Sequence, residues 1–158
     1  MSELSPKPRV VLGADHAGFP IKETIRQFLE NAEYLVDDLG TWSEESVDYP
    51  DYGKAVGECV ASHKDVFGIA VCRTGIGISI AANKVRGIRA AVAHDVSTAR
   101  LAREHNHANV LGLGRRVVSG SQAIEMVQAF LNTTFVGGRH ARRVEKITVI
   151  EQHERNKN

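Results

Sequence analysis

Apolar residues recur along this chain in two alternating rhythms: short, nearly unbroken runs, and longer stretches with apolar positions three or four apart. The runs predict strands from Arg9 to Ala14, Tyr34 to Leu39, Phe67 to Cys72, Arg89 to His94 and Val110 to Leu113. The periodic stretches predict helices over about 20–31, 50–63, 76–85, 97–104 and 119–131. Pro20 and Pro50 open two of these helices, where a missing N–H costs nothing. Strands that are apolar almost throughout, each followed by a helix, build a parallel sheet covered on both faces. The expected fold is α/β: a Rossmann-like three-layer sandwich with a five-stranded parallel sheet. It forms a single domain over 1–158, with 1–8 as a flexible tail.

A further helix, 139–154, follows Gly137-Gly138. At 100° per residue, Arg139, Arg143, Ile147 and Ile150 fall on one of its faces. A helix added after a complete domain needs something to pack on. A neighbouring subunit would make a dimer with arginines delivered across the interface; the chain's own domain is the alternative.

In parallel α/β sheets, ligands bind at the carboxyl ends of the strands. Asp15-His16 follows the first strand, and Cys72-Arg73-Thr74-Gly75-Ile76-Gly77 follows the third. His94-Asp95 closes the fourth, and Arg115-Arg116 follows the fifth. His105-Asn106, on the connection before the fifth strand, is expected to join them, so that most of the noteworthy polar groups share one edge. The stretch after the third strand stands out. A glycine turn leading into a helix offers free N–H groups and the positive end of the helix dipole to an anion. A thiol placed in that field has its thiolate stabilised. One segment thus supplies a candidate base or nucleophile and an anion cradle, which points to chemistry on something small and negatively charged.

Composition narrows the field. With 42% apolar and 25% charged residues this is an ordinary globular chain. No run approaches the ~20 apolar residues of a membrane span, and the first residues lack the apolar core of a signal peptide. Two cysteines, Cys59 and Cys72, make neither a disulfide framework nor a zinc site, so a reducing cytoplasm is expected. A net charge of +1 argues against a nucleic-acid binder. Positive charge is nevertheless local, at Arg115-Arg116 and at Arg139, Arg142, Arg143 and Lys146.

Three familiar motifs fail. Gly75-Ile76-Gly77 lacks the third glycine of a dinucleotide fingerprint, where Ile80 stands. Gly13 to Gly18 has the spacing of a P-loop, but Phe19 occupies the lysine position. His94, His105 and His107 have no companion carboxylates at metal-ligand spacing, so no metal is expected. His63 and His153 read as surface, and Cys59 as a small buried apolar residue. A cysteine hydrolase, pairing Cys72 with His105-Asn106, stays open on first principles.

Several segments, in order along nearly the whole chain, resemble the B-type ribose-5-phosphate isomerases and their relatives acting on galactose 6-phosphate and allose 6-phosphate. They are Asp15-His16-Ala17-Gly18, Asp48-Tyr49-Pro50, Cys72 to Gly77 with Ser79 to Lys84, Gly87 to Ala90, His105-Asn106 with Asn109-Val110, and Gly138-Arg139-His140 with Arg143-Val144. The resemblance implies a cofactor-independent isomerase, a homodimer or tetramer of Rossmann-like domains with sites at the subunit interface. It assigns catalysis to Cys72, His105 and Thr74. Cys72 would be the base moving a proton between C2 and C1 of the open-chain sugar, and His105 would open the ring. Backbone N–H groups from Arg73 through Gly75 and Ile76 to Gly77 would hold the enediolate oxygen. Asp15, His16 and Asn106 would hold hydroxyls, with Tyr49 as a wall. Arg116, Arg139 and Arg143 would bind phosphate, the last two from the partner subunit. Arg73 stands where the family has glycine or a small residue, and His107 where it has aspartate. Both bear on substrate choice.

Overall fold

The computed structural model describes residues 6–157. Its elements follow the expected alternation: β1 (Arg9–Ala14), α1 (Phe19–Asn31), β2 (Val36–Asp38), α2 (Tyr49–Ala61), β3 (Val66–Cys72), α3 (Ile76–Asn83), β4 (Ala90–Val92), α4 (Val96–Asn106), β5 (Val110–Gly114), α5 (Gly120–Asn132) and α6 (Arg139–Arg155). The sheet is parallel throughout, in the order β2-β1-β3-β5-β4. Of the expected tail, Met1–Ser5 lie outside the described residues. Lys7 donates to the Ala32 carbonyl and sits over the Tyr34 ring.

The helices cover both faces. Ile25 and Leu29 of α1, Ala99 of α4, and Met126 and Phe130 of α5 bury against Leu12, Ile69 and Leu111. On the other face, Val56 and Val60 of α2 and Ile78 and Ala82 of α3 cover Val11, Ala70 and Val110. A fully buried ring such as Phe130 contributes on the order of 3–5 kcal/mol when compared with alanine. Capping boxes start α4 (Asp95 with Thr98) and α5 (Ser119 with Gln122), tying down backbone donors that would otherwise lack partners.

Four elements depart from their expected bounds. β2 and β4 are each three residues long rather than six, because both are edge strands that pair on one side only. α3 stops at Asn83, whose side chain exchanges two hydrogen bonds with the Ala90 backbone and so ends the helix against β4. α4 continues through His105 and Asn106 to a left-handed C-cap at His107 (φ 50°).

α6 buries only Val144. It is held to its own domain by a stack of His140 on His105, by the Gly87 N–H donating to Glu151, and by Arg155 reaching the Lys84 carbonyl. Ile147, Val149 and Ile150 remain exposed. Among the described residues no helix is long and apolar enough to cross a membrane.

Candidate active site

Cys72 ends β3 opposite Gly114, the last residue of β5, and its side chain is buried at the carboxyl edge of the sheet. The Gly75 N–H donates to Cys72 Sγ at 3.2 Å. Gly75 adopts φ 80°, which lets the chain reverse within one residue and enter α3 without a side-chain cap. A Cβ there would lie 2.8 Å from the Leu113 backbone, so the turn is seated tightly on β5. Thr74 Oγ1 accepts from the Ile76 N–H.

The neighbouring groups are fixed by backbone bonds. Arg115 N–H donates to the Cys72 carbonyl and Arg116 N–H to the Arg73 carbonyl, both at 3.0 Å. Arg116 is thereby anchored beside the thiol. Asp15 is buried and accepts from the Gly18 N–H at 2.9 Å. His16 Nδ1 lies 3.1 Å from the Val47 backbone, which leaves Nε2 for a ligand. Tyr49 opens α2 with its ring against Gly77, where an added Cβ would come within 2.6 Å of the ring. A cavity of about 440 Å³ is lined by Asp15, His16, Ala17, Glu44, Arg73 and Arg115. Arg73 is therefore on its lining. Glu44 and Arg115, which face each other there at 3.6 Å, belong to no motif. The sequence marked Arg115 as half of a basic pair after the fifth strand, and Glu44 left no signal.

The remaining candidates lie elsewhere, and the expectation of a single edge is wrong for them. α4 runs back down the sheet, so His105 and Asn106 sit in its last turn, at the amino edge where β5 begins. β5 alone, from Val110 to Gly114, spans about 13 Å, and Cys72 lies at its far end. Within one chain the Cys72–His105 pair of a cysteine hydrolase does not form. His105 instead stacks on His140, ring centroids 4.1 Å apart, beside Arg139 and Arg143 at the start of α6. Desolvation, and then the charges of His105, Arg139 and Arg143, hold the His140 imidazole below its ordinary pKa. Such crowding of cationic groups suits an anion. His140 was no candidate in the sequence, although it adjoins Arg139.

The chain thus presents a thiol half-site at one edge and a basic half-site at the other. A family model described as Ribose/Galactose Isomerase matches residues 10–147. The chain belongs to that family. Ribose-5-phosphate isomerase B of Escherichia coli (strain K12) is 47% identical over 144 residues, 91% of this chain and 97% of the relative. Among solved structures of the family, the Clostridium thermocellum ribose-5-phosphate isomerase B superposes with a TM-score of 0.90 at 51% identity, covering 92% of this chain and 99% of its own. The Mycoplasma genitalium enzyme, solved with bound ribulose-5-phosphate, gives a TM-score of 0.87 at 39% identity, over 91% and 96% of the two chains. Membership in this family makes the chain an aldose–ketose isomerase of the type-B kind.

Proposed function

We propose that the enzyme interconverts ribose 5-phosphate and ribulose 5-phosphate at a site completed by two copies of the chain. The separation of the half-sites carries this reading: neither edge holds a full set of groups, and the two sets complement each other. One copy supplies Cys72, Thr74, Asp15, His16, Tyr49, Arg73 and Arg116 at its carboxyl edge. The other supplies His105, Asn106, Arg139 and Arg143. His105 and Asn106 travel with the two arginines because α4 and the start of α6 share one end of the molecule.

The chemistry follows from the geometry. His105 moves a proton to the ring oxygen while the anomeric hydroxyl loses its own, giving the open aldose. The Cys72 thiolate takes the proton from C2, and the C2 electrons form the C1–C2 double bond of an enediolate. The oxygen at C1 gains the negative charge, taken up by the Gly77 N–H at the start of α3 and by the Thr74 hydroxyl. The C2 hydroxyl gives its proton to the oxygen at C1, and the thiol returns its own proton to C1 as the carbonyl forms at C2. Arg116, Arg139 and Arg143 hold the phosphate, and among the described residues none of the three is paired with a carboxylate.

A second reading rests on the cavity lining. Arg73, Arg115 and Glu44 put charge there, which fits a phosphorylated aldose of four or six carbons as the preferred substrate.

Mixing two inactive variants tests the shared site. Cys72→Ala and Arg143→Ala chains, each nearly dead, should regain activity when dissociated and reassembled together, since some mixed dimers carry one intact site. Mixed dimers that form and stay inactive would place both residues in one chain's site.

A further inference from the structure

A second basic cavity lies at the amino edge of the sheet, on the strand ends away from Cys72. It holds about 270 Å³ and is lined by Asp65 and Val66 before and at β3, Arg89 before β4, and Arg103, His107 and Asn109 around the end of α4. His63, at the end of α2, completes it.

Arg103 is the anomaly. Its side chain is more than nine-tenths buried, yet its Nε has no hydrogen-bond partner. Nη1 donates to the Ala108 carbonyl, and the guanidinium lies over Phe67, 4.4 Å from the ring centre. Arg89 shares the cavity, its Nε donating to the His107 carbonyl at 2.9 Å. The ion pairs among the described residues include neither arginine. Buried guanidinium groups are ordinarily paired with carboxylates or phosphates. The helix-end carbonyls nearby already have donors: His63 Nδ1 lies 2.8 Å from the Cys59 carbonyl. Asp65 is the single carboxylate on the lining, and it is exposed and beyond ion-pair distance from both arginines. Burial, and then the charges of Arg103 and Arg89, hold the His107 imidazole below its ordinary pKa.

We infer that this cavity binds a phosphate-sized oxyanion, held by Arg103 and Arg89 and bordered by His63 and His107. Its size falls under the ~300–1,000 Å³ of sites for larger ligands, and so suits an ion of a few heavy atoms. The site is separate from the basic half-site at His105, Arg139 and Arg143, which the proposed reaction uses, and does not depend on that reading.

Inorganic phosphate is the probe, with His ring resonances as local reporters. In the full-length enzyme, millimolar phosphate at constant ionic strength should shift the His63 and His107 resonances along one saturating curve. Arg103→Met should abolish that curve while His105 and His140 still respond. Asp65→Asn keeps the left-handed backbone (φ 57°) that asparagine tolerates, and removes the one opposing charge. It should tighten the midpoint about threefold, the scale of a partly exposed charge contact, and it stays informative if the Arg103 variant fails to fold. His63 and His107 resonances that stay still, that move equally with matched chloride, or that keep the same midpoint in Asp65→Asn would overturn the inference.

Discussion

At the scale of single residues, the proposed reaction divides chemistry from anchoring between the thiol and the arginines. If Cys72 is the base, Cys72→Ala should lose isomerisation by roughly 10²–10⁴-fold while its affinity for sugar phosphate stays near that of the wild type. Kinetics and calorimetry on the same preparation check this; an alanine variant keeping more than a tenth of the wild-type kcat would remove Cys72 from the role. Arg73 is a different case, because it adds charge to the cavity lining. Arg73→Gly should change the ratio of kcat/KM for five- and six-carbon phosphates about tenfold, or about 1.4 kcal/mol of differential stabilisation. A uniform change would make Arg73 a bystander in substrate choice. The Cys72 turn was legible from sequence because a glycine turn after an apolar run has few other uses. Glu44 was not, since its meeting with Arg115 is made by the loop from 39 to 48, which carries no pattern.

Among the elements, α1 is joined to β2 by charge. Lys22 is fully buried and pairs with Asp38 at 2.6 Å and Glu23 at 2.9 Å, while Arg26 extends the network to Glu23 and Glu30. The hydrogen bond from Arg26, with Lys22 behind it, lowers the Glu23 pKa to about 2. A carboxylate whose folded pKa lies below its unfolded value stabilises the fold above the unfolded pKa, and loses that contribution as pH falls through the folded one. Stability should therefore decline between pH 4.5 and about 2, with Glu23 accounting for about 1–2 kcal/mol after solvent screening. Urea titrations of Glu23→Gln should show a flatter acid limb than wild type; equal limbs would assign the loss to other carboxylates. The helices were read well because their apolar period is decided by burial. The ends were read less well because they are set by tertiary partners, as where Asn83 meets Ala90.

For the whole molecule, a parallel sheet with helices on both faces follows from the strand–helix alternation, which is why the fold could be anticipated; the strand order does not. The placement of His105 could not. Sequence counts it as near β5, but a helix that returns along the sheet carries its last turn to the edge opposite its start. Proximity along the chain and proximity to the strand ends where ligands bind are separate properties, and the direction in which the helix runs decides between them. If the two edges of different copies close over one substrate, a newly made chain is silent until it meets another. Below the concentration at which copies pair, catalytic output then rises as the square of the amount made. In that regime, a cell that halved its synthesis of this protein would lose more than half of its flux.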